Sequence, residues 1–185
     1  MTRVADVPPD DLAPGLRDVY QRFAGGYASF RNQAGVLAHV PSAAQHLMAM
    51  LLELREQRNL PYRYTELAIV TVSKLNECSY CVAHHTPLLQ VEGLSAAGVA
   101  NVLDYADHPE LTAIDKLVVE YAIAVTRTPQ RIGDTMFERL RAAFTEAQLV
   151  ELTLRIALCG FFNRFNDALQ IDAESEPVAG TRAHR

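Results

Sequence analysis

Residues 66–85 read ELAIVTVSKLNECSYCVAHH, and this stretch decides the fold. Its first half is largely apolar, and Ile69, Val70, Thr71 and Val72 suit a buried strand as well as a buried helix, so periodicity alone leaves both open. Its second half holds two cysteines three residues apart, with a histidine four residues beyond the second. The secondary structure around the stretch has to settle what it is.

Working outward, the pattern is helical throughout. Residues 11–23 carry Leu12, Leu16, Val19, Tyr20 and Phe23 at helical spacing, and Gly25 and Gly26 break it. A segment with Gly35 and Pro41 follows. Ser42 is placed to cap a helix to about Gln57, and Thr65 to cap one over 66–76. Ser95 begins a short helix to about Ala106, and Thr112 caps a longer one over 113–125. Residues 133–144 form another, with Met136, Phe137, Leu140 and Ala143 inward. The run Thr145-Glu-Ala-Gln148 has capping-box spacing and opens a last long helix to about Leu169. No run alternates with a two-residue period, and no Asn-Gly or Asp-Gly hairpin turn occurs. The fold expected is all-α: a single helical domain over 1–170 with a loose C-terminal tail over 171–185. A C-x2-C in a βαβ setting would point to a thioredoxin-like domain, and between helices it does not.

Composition fits that expectation. The 185 residues are 49% apolar and 21% charged, ordinary usage for a chain long enough to bury a core without disulfide staples. The longest nearly apolar run, residues 152–162, contains Arg155 and is too short to span a bilayer, so no membrane partner is expected. The first twenty residues lack a basic region followed by an apolar one, so no signal peptide is expected. A net charge of −5 without a Lys/Arg run argues against nucleic acid. Three cysteines, two in a C-x2-C pair, fit a reducing cytoplasm and a reactive dithiol rather than a secreted disulfide framework. The zinc-protease, nucleophile-elbow, P-loop and dinucleotide fingerprints are all missing.

Glu66, Cys78, Cys81 and His85 form the pattern E-x11-C-x2-C-x3-H. On a helix Cys78 and Cys81 share a face within disulfide reach. If Cys78 starts that helix, the open N–H groups and the dipole favour a thiolate there. His85 lies one turn past Cys81, where its imidazole could take the thiol proton, and because a dipole cannot do that, Cys81 is the preferred nucleophile. Along one continuous helix Glu66 would sit roughly 18 Å from Cys78, so it joins them only if the chain reverses near residues 76–77 and two helices pack. A buried Glu66 hydrogen-bonded to His85 or water would then relay protons. The plain alternatives are two buried apolar thiols and a Glu66 that only complements a helix dipole. His84 falls on a neighbouring face, solvent-facing or packed, while Tyr80 lines a pocket, donates a proton or packs. Pro87 should break or kink the helix soon after His85. Cys159 reads as a core thiol. In the last helix Asn163 and Asp167 share a face, Arg164 and Asp167 are placed as an ion pair, and the cluster reads as structural.

On Glu66, Cys78, Cys81 and His85, and more weakly on residues 163–167, the chain resembles the alkylhydroperoxidase D-like branch of the carboxymuconolactone decarboxylase superfamily, in its peroxidase-related members. The resemblance implies an all-helical subunit in homo-oligomers such as trimers or hexamers. It implies reduction of a small-molecule peroxide by the dithiol, with no metal or other cofactor and with a thiol or dithiol electron donor. Carried over residue by residue, Cys81 would become the sulfenic acid, Cys78 would resolve it, and Glu66 and His85 would relay protons. One departure is Tyr80, where the better-known members have a histidine. Two alternatives stand beside this reading: a non-redox decarboxylase-like enzyme, and a module binding zinc through Cys78, Cys81 and His85.

Overall fold

The computed structural model describes residues 2–26 and 30–174, all helix and connecting loop with no strand among them. The chain divides into two compact units, 1–58 with 166–185, and 59–165. Part of the expected tail, 175–185, lies outside the described residues.

The first unit contains a 3-10 turn at Pro9–Asp11, then α1 (Pro14–Gly26), α2 (Arg31–Leu37) and α3 (Pro41–Gln57). α3 packs on α1 and α2, burying Leu16, Met48 and Leu52. α1 starts at Pro14, not residue 11, and runs through both glycines expected to end it. α2 has no sequence signal of its own: it is seven residues long and Phe30 precedes it without a side-chain cap. α3 begins at Pro41, so Ser42 lies inside the helix; proline suits the first helical position because the N–H it lacks would be unbonded there. In the same unit, Gln33 Nε2 donates to Asn166 Oδ1 at 2.9 Å.

The second unit is built on α4 (Tyr62–Leu75), which packs against α5 (Ser79–Val91) and α7 (Ala113–Arg127). α6 (Ala96–Ala100), α8 (Asp134–Ala143) and α9 (Glu146–Leu169, in this unit to Phe165) complete it. Residues 65–68 and 70–73 of α4 are all buried. A helix covered on so much of its surface needs no amphipathic stripe, which is why 66–76 could also have read as a strand; packing outweighs the weak helix propensity of its β-branched residues. α4 starts four residues earlier than the Thr65 cap implied, because Pro61 precedes the first turn, and the Thr65 hydroxyl reaches back to the Pro61 carbonyl at 3.5 Å.

α7 has the full capping box, Thr112 with Asp115, and α9 opens on the Thr145–Gln148 pair as its spacing foretold. Ser95 caps α6, which ends at Ala100, short of the expected Ala106. Arg63 ties three helices together: it binds the fully buried Asp115 at 2.8 Å, and donates to the Glu92 carbonyl at 2.6 Å. Burial pushes the Asp115 carboxyl up, but hydrogen bonds from Arg63 and Thr112 prevail and hold it below its usual range.

α5 does not break at Pro87; it runs on to Val91. A proline inside a helix removes a single backbone bond, and the fully buried Leu89 anchors the turn beyond it. The positive φ of Gly93, 100°, then turns the chain out of the helix.

Candidate active site

α4 ends in a reversal built by its own backbone. Glu77 takes the left-handed conformation, φ 56°, and its N–H donates to Lys74 O at 3.2 Å while Cys78 N–H donates to Ser73 O at 3.0 Å. This pair of bonds is a Schellman closure, usually made with glycine at the left-handed position. It is the chain reversal that a meeting of Glu66 with the cysteine segment requires.

Cys78 therefore sits at the N-cap of α5, and its carbonyl accepts the first helical bond, from Val82 N–H at 3.0 Å. Cys81 lies in the first turn. The two are 0% and 3% exposed, so the dithiol is shielded from bulk water. One turn further, His85 Nδ1 lies 2.8 Å from Glu66 Oε2. Glu66 is 4% exposed, and this bond across α4 and α5 provides the polar partner that a carboxylate at that depth needs. All four residues of the pattern thus lie at the α4–α5 junction: Cys78, Cys81 and His85 along the start of α5, and Glu66 joined to them through His85.

His84 is packed, not solvent-facing. Its Nδ1 donates to the Tyr80 carbonyl at 2.7 Å, and its ring stacks on the Tyr80 ring with centroids 4.2 Å apart. Tyr80 is 3% exposed, a buried aromatic between the two thiols.

Cys159 is a core thiol with polar company that sequence reading did not find. Its sulfur lies 3.3 Å from Ser73 Oγ and 3.5 Å from Ile69 O. Asn163, also fully buried, donates to Ser73 Oγ at 3.3 Å and accepts from Asn76 Nδ2 at 2.8 Å. Burial pushes the Cys159 thiol up to about 12, against its hydrogen bonds with Ser73 and Asn163, and the charges of Cys78 and Glu66 push the same way as burial. The available signal was the i,i+4 spacing of Cys159 and Asn163 on an apolar helix. The placement of Arg164 to pair with Asp167 is not used: Arg164 Nη1 donates to the Gly160 carbonyl at 2.7 Å.

Among the described residues no group of three or more His, Cys, Asp or Glu side chains is arranged to hold a metal ion. The zinc-module alternative therefore lacks a ligand set there. No described helix is long and apolar enough to cross a membrane.

Residues 41–108 match the carboxymuconolactone decarboxylase family. The chain is 28% identical over 131 residues to YnjA of Escherichia coli (strain K12), covering 70% of this chain and 72% of that protein. Among solved structures, an alkylhydroperoxidase AhpD core, a peroxidase-related protein from Ralstonia eutropha JMP134, superposes with a TM-score of 0.81 at 20% identity, over 94% of this chain and 93% of the other. A cysteine-to-alanine variant of the debrominase Bmp8, in complex with 2,3,4-tribromopyrrole, superposes with a TM-score of 0.78 at 19% identity, over 95% and 93%. The chain thus carries a carboxymuconolactone decarboxylase family region at 41–108 and folds as the alkylhydroperoxidase D-like, peroxidase-related proteins do.

Proposed function

We propose that the protein is a thiol-dependent peroxidase, a disulfide oxidoreductase that works through Cys78 and Cys81. The observation that carries this reading is the Glu66–His85 hydrogen bond of 2.8 Å, set one turn beyond a cysteine pair at a helix start. A carboxylate on Nδ1 fixes the imidazole and makes Nε2 the basic nitrogen. His85 takes the Cys81 proton, and the thiolate attacks the outer oxygen of a hydroperoxide ROOH. The O–O bond breaks, sulfur is oxidised to Cys81–SOH, and the alkoxide leaves as ROH with the proton from His85. The Cys78 thiol then displaces water from the sulfenic acid, giving the disulfide. An external thiol or dithiol donor returns two electrons and two protons.

The protein would act in the cytoplasm as a homo-oligomer, a trimer or hexamer. The apolar residues Val150, Leu154 and Phe161 that α9 leaves exposed support an oligomer. Sedimentation should then give a mass several times 20.5 kDa.

A second reading draws on the debrominase neighbour. The same dithiol could exchange a C–Br bond of a bromopyrrole for C–H, releasing HBr and forming the same disulfide.

One experiment separates the readings: thiol counting after one equivalent of cumene hydroperoxide or of a bromopyrrole, with metal analysis alongside. Peroxidase chemistry predicts that the hydroperoxide removes two titratable thiols, reversibly with dithiothreitol, and leaves Cys159 reduced. Loss of thiols with the bromopyrrole alone would favour dehalogenation. Bound zinc, or no thiol loss with either compound, would sink the dithiol reading and leave the zinc module or the decarboxylase-like enzyme.

A further inference from the structure

Side chains of α9 bond to α4 and to the loop before it at a nearly constant offset in residue number. Gln148 donates to Asn59 O, Cys159 meets Ile69 O and Ser73 Oγ, and Asn163 meets Ser73 and Asn76; these partners differ in number by 86 to 90. At that offset Arg155 stands level with Glu66, and Glu151 with Tyr62. Arg155 precedes Cys159 by four residues and Glu66 precedes Ser73 by seven, so each shares the face its bonded neighbour turns to the other helix.

The two halves of this polar row differ. From Ser73 to Asn76 the side chains bond across to α9. At the level of Tyr62 and Glu66, no hydrogen bond or ion pair among the described residues joins them to Glu151 or Arg155. Arg155 turns its Nε and Nη2 to Glu151 Oε1 on its own helix, at 3.3 and 3.0 Å. Glu151 is 5% exposed and Arg155 8%. Glu151 Oε2 and the Tyr62 hydroxyl are both buried with no hydrogen-bond partner.

Leaving buried polar atoms in this state is costly, so a native protein keeps them for a ligand or for water. The chemistry selects the ligand. Glu151 Oε2 accepts only, whereas the phenol both donates and accepts. A hydroxyl group satisfies both, since it has one proton to give and lone pairs to receive. A carboxylate has no proton for Glu151 and meets it with like charge. A hydrocarbon satisfies neither.

We propose that Tyr62, Glu151 and Arg155 form a subsite, beside the Glu66–His85 pair, that takes the hydroxyl or hydroperoxyl end of a neutral organic ligand. Its use as a substrate subsite rests on the peroxidase reading and narrows the substrate to uncharged hydroperoxides, with the matching alcohol as product. Arg155 is a positioning residue that holds the Glu151 side chain aligned through its bonds to Oε1.

The test uses 2-phenyl-2-propanol, the alcohol from cumene hydroperoxide, which cannot oxidise a thiol. Binding to the full chain is followed by saturation-transfer NMR, with benzoate as the charged comparator. The alcohol should bind and benzoate should not, and both Tyr62→Phe and Glu151→Gln should weaken the alcohol about tenfold, the scale of one lost hydrogen bond. The KM for cumene hydroperoxide should rise by a similar factor in Tyr62→Phe while kcat stays near the wild-type value. No alcohol binding, equal binding of benzoate, or unchanged binding in the variants would overturn the subsite and leave buried water as its occupant. If Glu151→Gln does not fold, as checked by circular dichroism, Tyr62→Phe decides alone, since it removes a single hydroxyl. Should cumene hydroperoxide leave the dithiol untouched, the peroxidase reading fails, while the alcohol titration still decides the subsite.

Discussion

Cys78 and Cys81 lie at the start of one helix and Cys159 deep inside another, yet the three are almost equally buried, at 0%, 3% and 6% exposed. Under the proposed dithiol chemistry, burial therefore does not tell the reactive thiols of this protein from the inert one. Position along the helix and the neighbouring side chains do. The α5 pair sits where backbone N–H groups have no helical partner and the dipole favours negative charge, with an imidazole one turn on. Cys159 sits where the backbone groups are already bonded and its neighbours, Ser73 and Asn163, are neutral. Two hydrogen bonds do not offset the loss of water, and the thiol is pushed up to about 12.

The largest expected effect breaks the pair itself. Cys81→Ser should abolish peroxide consumption, a loss of roughly 10³-fold or more, because the proposed mechanism gives the attack on the O–O bond to Cys81. Cys78→Ser should let a sulfenic acid accumulate on Cys81, detected by a dimedone adduct in peptide mass spectrometry. A dimedone adduct on Cys78 in the Cys81→Ser protein, formed at undiminished rate, would reverse the two roles. Next in size is the proton path. His85→Ala should slow the reaction by roughly 10²–10⁴-fold and move the rate profile to higher pH. Glu66→Gln, which keeps the shape but weakens the grip on Nδ1, should cost about 10- to 100-fold.

Much of this contrast was legible in the sequence, for identifiable reasons. The E-x11-C-x2-C-x3-H spacing is a local pattern, and local patterns survive into structure whenever the helices that carry them form. The Thr112 cap and the Thr145 capping box were legible for the same reason: their partners lie three residues away. The reversal at Glu77, without which Glu66 could not reach the cysteine segment, carried no mark, because the residue in the left-handed position is not glycine. Helix starts at Pro41 and Tyr62 were misplaced because proline geometry fixed them where hydroxyl caps were sought. The bonds of Cys159 to Ile69 and Ser73 span 86 to 90 residues, a distance over which no spacing rule operates. The same holds for Glu151 and Arg155: their i,i+4 pairing was readable, but their level beside Tyr62 and Glu66 needed the fold.

The Cys159 end of the comparison has its own pH signature. Its thiol rises from an ordinary 9.0 to about 12 on folding, so the native state favours the neutral form. The associated stability is complete below pH 9 and is lost as pH climbs towards 12, a change on the order of 4 kcal/mol for three pKa units. Urea unfolding midpoints should therefore fall steeply above pH 9 in the wild type and less steeply in Cys159→Ala. Iodoacetamide at pH 8 should leave Cys159 unlabelled in the folded protein. Rapid labelling would remove the contrast between the two thiol environments.

The smallest effect asks whether the Cys159 environment supports the fold or serves the chemistry. Ser73 touches both regions, since its carbonyl accepts from Cys78 N–H while its hydroxyl faces Cys159 and Asn163. Ser73→Ala removes only the second set. Asn163, which is fully buried, then loses an acceptor, for a cost of about 1–3 kcal/mol. The Cys159 thiol loses one of the hydrogen bonds that lower its pKa, so its titration should move further up and the thiol become more inert. The backbone bond that seats Cys78 at the α5 N-cap is unchanged, so turnover per folded molecule should stay within about twofold of the wild type while the urea midpoint drops. A variant that kept its stability but lost peroxide turnover would mean that the buried Cys159 cluster acts on the dithiol directly, and that position along a helix does not by itself separate the two kinds of thiol.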